Sequence, residues 1–257
     1  MWERVKNFLS TRWTELKAWF KAHIRELLKQ TLKGLGAVLQ LYGIGFIIGL
    51  GFWVAFGIVL AVAMAGYAEA SEIPRAAHQY RAELVRCARV SWGLNAPVAV
   101  FAAQVHTESG WNSEARSPVG AQGLAQFMPS TAKWLPEVAP ETGQPAPFNP
   151  GWSLRALCAY DRWLWECTDG ADNFERMAFT LSAYNGGLGW VNRDKKLARQ
   201  RGLDSKRWFN SVATVNAGRS KAAWKENRNY PQIILKKRQY AYVGAGWGPG
   251  IEQGQKP

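Results

Sequence analysis

The chain has 257 residues, is 47% hydrophobic and carries 14 tryptophans, enough for a sizeable core in one or two domains. Its formal net charge of +13 fits an acidic partner (anionic lipid, nucleic acid or an acidic polymer) and equally a charge that serves only solubility. With no zinc-finger spacing and no RNA-binding signature, nucleic acid is the weakest of the three and is not required.

Residues 1–33 alternate basic and apolar groups and carry eight Lys/Arg against three Glu, a net +5. Val5, Phe8, Leu9, Trp13, Leu16, Trp19, Phe20, Ile24, Leu27 and Leu28 follow helical spacing, the pattern of a helix lying in a membrane interface. An amphipathic helix packed on a partner would show the same pattern. Residues 34–66 read as a transmembrane helix. No charge occurs from Leu35 to Ala65, and Leu41 to Met64 is 24 residues of clean apolar sequence. At about 1.5 Å per residue this is long enough to cross a hydrocarbon core of about 30 Å. The basic lead and the balanced flank after the span place the N-terminus in the cytoplasm and the rest in the periplasm. Ala63, Ala65, Ala68 and Ala70 offer signal-peptidase sites, but the lead and core exceed signal-peptide proportions, so the span is read as an uncleaved anchor. Gly45 and Gly49 have the spacing that brings two membrane helices together, a route to self-association.

Residues 67–74 form a linker, and a globular domain is expected over 75–243. It opens with a helix to about Trp92, with Leu84, Val85, Ala88 and Val90 as its apolar positions. Gly93 to Asn95 breaks it. Val98, Phe101, Ala102 and Val105 then mark one face of a second helix, with Pro97 at its first turn and Gly110 at its end. Glu108, seven residues after Phe101, points the same way as that apolar stripe. Desolvation there would raise its pKa and let it serve as a general acid. Periodicity alone leaves a surface glutamate at a frayed helix end equally open.

Ser117 to Gly123 is a glycine-rich loop, and Pro129 starts a short helix ending before Pro136. The proline-rich stretch 136–150 reads as a surface loop. Ser153 is the expected N-cap of a helix carrying Leu154, Leu157, Asp161 and Leu164. Another helix spans about Asn173 to Asn185, with Met177, Leu181 and Tyr184 on one face and Gly186 and Gly187 as its stop. Residues 188–225 are basic, with a helix-compatible piece at Asp204 to Val212; Arg193, Lys195, Lys196, Arg199 and Arg201 could touch a polymer or simply face solvent. Tyr230 precedes Pro231 and an apolar helix from Ile233 to about Tyr240. Residues 244–257 read as a flexible tail.

Cys158 and Cys167 are nine apart on one expected helix, about 13.5 Å along its axis and too far to bridge. Cys87 could pair with either; otherwise all three are small buried groups. No ligand set emerges from the histidines and cysteines, so neither metal nor cofactor is inferred.

Four motifs occur in order: Glu108 and Ser109; Gly123, Leu124, Ala125 and Gln126; Ala183, Tyr184 and Asn185; and Glu226 to Tyr230. Together they resemble the soluble-lytic-transglycosylase family of peptidoglycan-cleaving enzymes, in the variety met in bacteriophage and mobile-element proteins. The resemblance covers about residues 75–243. It implies a mainly α, α+β lysozyme-like catalytic domain behind the single membrane helix, with peptidoglycan glycan strands as substrate. It implies Glu108 as the catalytic acid, and Ser109, Gln126, Tyr184, Asn185 and Tyr230 as groups that orient sugar and acid. The family's usual methionine is Ala125 here, with Met128 nearby, which bears on one sugar subsite. Glu226 reads as structural and Glu114 as a loop residue. With one acid in the cluster, the implied reaction is non-hydrolytic. Glu108 protonates the glycosidic oxygen, then deprotonates the C6 hydroxyl of N-acetylmuramic acid, which closes on C1 as a 1,6-anhydro ring. Host lysis or local wall opening is the implied setting. A lysozyme-like hydrolase and a non-catalytic peptidoglycan-binding adaptor remain the alternatives.

Overall fold

A computed structural model describes residues 23–24, 26–34 and 73–254. The chain divides into two units, Met1–Tyr67 and Ala68–Pro257. In the first, the described residues are helical, and Ile24, Leu27, Leu28 and Leu32 are exposed. Most of the basic lead, the expected span 34–66 with Gly45 and Gly49, and most of the linker lie outside the described residues. Among the described residues no helix is long and apolar enough to cross a membrane.

The second unit is mainly helical. A 3₁₀ segment, Arg75–Tyr80, leads into α1 (Arg81–Trp92), followed by α2 (Val98–Ser109), α3 (Pro129–Trp134), α4 (Pro150–Glu166), α5 (Asn173–Gly186), α6 (Leu188–Gln200) and α7 (Lys221–Ile233). A π-helical turn, Ile234–Arg238, joins α7 to α8 (Gln239–Gly244). Among the described residues β structure amounts to two isolated bridges, Arg116 with Gln122 and Gln122 with Phe127. The α+β expectation thus comes down to one pinched loop.

Helix α2 is the spine. Its residues 98–105 are all buried, which suits a helix covered on every side rather than an amphipathic surface helix. Helices α1 and α8 and the π-helical turn pack on it, α4 on α1, and α5 on α4, α6 and α7. Gly110 ends α2 with φ of 61°, a left-handed conformation that glycine adopts without a Cβ clash.

Several expectations are corrected. Helix α4 is capped by Asn149, whose side chain accepts from the Trp152 amide at 2.9 Å. Ser153 lies inside that helix, fully buried, and accepts from the Ala125 amide instead. Asp204 to Ser211 is turns and irregular chain, and Val212–Thr214 is a single 3₁₀ turn. Pro231 sits within α7 rather than before a new helix, and the chain then widens into the π-helical turn. Val90 is 76% exposed. Cys87 and Cys158 are buried, but Cys167 is exposed at the end of α4, and none of the three is in a disulfide. Lys195 is buried, not a surface cation: its ammonium donates to the Asp169 carboxylate and, at 3.1 Å, to the Asp169 carbonyl.

The segment after Gly244 is no loose tail as far as Ile251. Trp247 and Ile251 are buried. The Gln239 amide clamps the backbone of Ile251 from both sides, accepting from its N–H and donating to its carbonyl, each at 2.9 Å. Trp247 meets Tyr242 edge-on at 5.0 Å, and the Trp111 indole donates to the Tyr242 hydroxyl at 2.7 Å. The Pro249 carbonyl accepts from Ala99 near the start of α2. Glycine and proline content alone does not reveal these anchors.

Candidate active site

Glu108 stands in the last turn of α2, where the helix begins to emerge from the core. It forms part of the wall of a cleft of about 570 Å³. Around the same cleft lie Gln126, Tyr184, Asn185 and Tyr230, from a loop, the end of α5 and α7, so four of the five expected substrate-binding residues converge on Glu108.

The carboxyl is only half-buried as a residue, yet its end is ringed by protein. Loss of hydration pushes its pKa up from 4.5 to about 7, and the negative charge of Glu226 pushes the same way. One interaction opposes them. The Tyr230 hydroxyl donates to Oε1 of Glu108, which favours the ionised form. The placement at a helix C-terminus, the negative end of the helix dipole, also disfavours a carboxylate. Tyr230 itself is buried, and its pKa is driven well above the phenolic value by burial and by the acid beside it, so it remains a donor.

The loop Gly123 to Gln126 is held by contacts from four directions. Gly123 has φ of 75°, and a Cβ there would lie 1.7 Å from the Pro147 carbonyl, so this position requires glycine twice over. The Leu124 carbonyl accepts from the Ser109 hydroxyl at 2.8 Å, and the Ala125 carbonyl from the Tyr184 hydroxyl at 2.7 Å. Gln126, in the left-handed region at φ 48°, uses its amide nitrogen on the carbonyls of Gly123 (2.9 Å) and Ala115 (3.2 Å). Its side-chain oxygen is left for another donor. Ser109 therefore ties helix to loop, and it is not among the residues that line the cleft. Ala125 is fully buried, whereas Met128 lines the cleft and is 39% exposed.

On the opposite wall, Asn185 is fixed by α7. Its side-chain oxygen accepts from Asn227 at 3.0 Å, and its nitrogen donates to Glu226 at 3.4 Å. Asn227 also exchanges hydrogen bonds with Ser182, each at 2.8 Å. Behind it, Arg228 donates to Asn227 and to Asp194, and Arg219 reaches the same Asp194 oxygen at 3.3 Å. Aromatic rings support the floor: Tyr160 and Tyr184 are 5.4 Å apart and Phe127 and Tyr184 5.8 Å.

Glu226 is the cleft residue that sequence reasoning misses. It reads as structural there, but it lines the cleft and its charge is felt at Glu108. The available signal is its spacing: Glu226 and Tyr230 are four apart, hence on one face of α7. Glu114 is an exposed loop residue.

Residues 88–209 match the family model described as the Transglycosylase SLT domain. This part of the chain is similar to the SLT domain family. The membrane-bound lytic murein transglycosylase F of Shewanella pealeana is 29% identical over 153 residues, which are 59% of this chain and 27% of that protein. Its counterpart in Shewanella sediminis is 34% identical over the same shares. The chain therefore spans about a quarter of the length of these relatives. Among solved structures, an inactive variant of lytic transglycosylase Slt from Pseudomonas aeruginosa is 26% identical with a TM-score of 0.47, covering 69% of this chain and 26% of that one. The 70 kDa soluble lytic transglycosylase of Escherichia coli is 22% identical with the same TM-score, covering 67% and 26%. The SLT match ends before Glu226 and Tyr230, which line the cleft from α7.

Proposed function

We propose that this chain is a peptidoglycan lytic transglycosylase with Glu108 as its single acid–base group. The observation that carries the reading is Glu108 in the cleft, hydrogen-bonded by Tyr230 and desolvated so that its pKa is pushed up to about 7. The relatives named above are described as membrane-bound lytic murein transglycosylases, and residues 88–209 of this chain match the Transglycosylase SLT domain.

In this reading Glu108 gives its proton to the oxygen of the β-1,4 bond between N-acetylmuramic acid and N-acetylglucosamine. The C1–O bond breaks, and the muramyl acetamido group supports the oxocarbenium carbon. Glu108, now a carboxylate, takes the proton of the C6 hydroxyl as that oxygen bonds to C1. The products are a 1,6-anhydromuramic end and a free 4-hydroxyl, with no water consumed. The proton affinity near neutrality suits both halves. Tyr230 steadies the carboxylate between them. Asn185 and the side-chain oxygen of Gln126 are the polar groups set to receive sugar. The apolar span 34–66 would anchor the enzyme in the inner membrane with the SLT domain in the periplasm, for local wall opening or host lysis.

Purified peptidoglycan is digested with the full chain, and the unreduced muropeptides are weighed. Products lighter by one water, lacking reducing ends and absent with Glu108→Gln, support the reading. A hydrolytic second reading has a specific observation in its favour, because Glu226 supplies a second carboxyl in the same cleft. It predicts reducing ends and their loss in Glu226→Gln. Binding without products from either protein would leave the adaptor.

A further inference from the structure

Beneath the cleft lies an acid that this reaction does not use. Asp161 falls on the apolar stripe of α4 and is 0% exposed. Gln104, on α2 one turn before Glu108, is also 0% exposed. Its amide nitrogen donates to Oδ1 of Asp161 at 3.4 Å. The other half of each group, Oδ2 of Asp161 and Oε1 of Gln104, is buried without a partner. Among the described residues no cation pairs with Asp161. As a carboxylate it would be an uncompensated buried charge beside two orphaned acceptors, each orphan costing about 1–3 kcal/mol. A single proton resolves both defects, since a carboxylic acid and a primary amide are complementary: the amide N–H meets one oxygen and the acid O–H meets the amide carbonyl.

We propose that Asp161 is held as a neutral carboxylic acid in a reciprocal pair with Gln104, and that this pair is the positioning element beneath Glu108. Glu108, Tyr160, Tyr184, Tyr230 and Cys158 are the titratable groups around Asp161, and none of them is a cation. Burial pushes the Asp161 pKa well above the usual carboxylate range; the hydrogen bond from the Gln104 amide pulls the other way, and the neighbouring Glu108 adds to the rise. An ionised Asp161 would bias Glu108 against ever releasing its proton. A neutral one fills the space and leaves Glu108 free to cycle between acid and base. The link to catalysis rests on the reading of Glu108 above; the protonation state of Asp161 does not.

The test uses the full chain labelled with ¹³C at the aspartate carboxyls and titrated by NMR. One aspartate should keep the protonated chemical shift above the Glu108 transition, and that resonance should be missing in Asp161→Asn. Ionised shifts for every aspartate at neutral pH would overturn the proposal, and wild-type protein alone suffices to show it. In a second arm the pH profile of muropeptide release is compared. With Asp161 neutral, Asp161→Asn keeps the alkaline fall-off in place; a move to lower pH would mean that a negative charge had been removed, and would overturn the proposal. Absence of peptidoglycan cleavage by wild type would sink the reading of Glu108 while leaving the NMR result to stand by itself.

Discussion

Glu108 and Asp194 are both withdrawn from bulk water, and the molecule treats them in opposite ways. Asp194, on α6, is 0% exposed and meets two guanidinium groups, Arg228 at 2.8 Å and Arg219 at 3.3 Å, together with the Ala217 amide at 2.9 Å. Its charge is cancelled by fixed partners. Glu108 has one phenol for a partner and, among the described residues, no ion pair. A buried carboxyl ringed by cations and amides serves as a structural anchor; Glu108, at a cleft and without a cation, is open to proton exchange. The Asp194 region builds the wall that holds Asn185, and the Glu108 region is where a proton can move.

The largest effect should come from Glu108→Gln, which removes the exchangeable proton while keeping the shape. Cleavage of peptidoglycan should fall on the order of 10²- to 10⁴-fold, the usual range for a general acid–base group. The same substitution has a stability signature. The folded carboxyl titrates at about 7 against an ordinary 4.5, so between those values the folded state binds more protons than the unfolded one. Stability then declines as pH rises through that window and is flat above it. Glu108→Gln escapes the penalty, worth on the order of 3 kcal/mol at full burial and less at a cleft. Its melting temperature should exceed that of wild type above neutrality, and the two should converge in acid. Equal curves at all pH values would erase the contrast with Asp194.

Next in size is Asp194→Asn, which strands two guanidinium groups in the interior. Breaking a buried pair costs roughly 3–5 kcal/mol, to be read as a fall in denaturation midpoint. The alkaline fall-off of activity in the folded fraction should keep its place on the pH axis. If that fall-off moved instead, Asp194 would be part of the proton machinery and the division between the regions would fail.

Tyr230→Phe tests the single contact that distinguishes the Glu108 site. A hydrogen bond to a charged group contributes about 1.5–3 kcal/mol, so activity should fall on the order of ten- to a hundredfold. Because this bond favours the ionised form, its loss raises the pKa of Glu108 further. The surviving activity should therefore persist to higher pH than in wild type. A shift to lower pH would mean that the phenol acts on Glu108 in some other way.

How much of the molecule can be read from the sequence depends on how far apart the partners are. Helix α2 is legible because Pro97, the apolar positions and Gly110 are local signals that agree with one another. Glu108 is legible as a candidate from its place on that stripe. Tyr230 lies 122 residues away, and only the family motif brings it to the site. Local rules fail where tertiary contacts override them. Ser153 has the chemistry of an N-cap, but its hydroxyl is taken by the Ala125 amide from a loop 28 residues earlier. In the sequence Asp161 is one more member of an apolar stripe, and what makes it unusual is Gln104, 57 residues away. The Gly- and Pro-rich C-terminal stretch looks loose because its anchors, Gln239 and Tyr242, belong to a different helix.

The smallest effect belongs to Ser109, where motif and geometry differ about its role. The motif pairs it with Glu108 as a group that orients sugar. In the structure its hydroxyl donates to the Leu124 carbonyl at 2.8 Å, with a longer contact of 3.4 Å to Val105 within α2. Ser109→Ala therefore removes a tie between the helix and the Gly123 loop. The expected cost is about 1 kcal/mol of stability, one ordinary hydrogen bond. Because that loop carries Gln126 and Met128 into the cleft, a modest rise in KM should accompany the loss, with kcat little changed. Lowering the temperature should reduce the KM difference, since a loosened loop is recovered as the fold stabilises. A KM defect that persists unchanged at low temperature, with no loss of stability, would put the hydroxyl on the substrate after all.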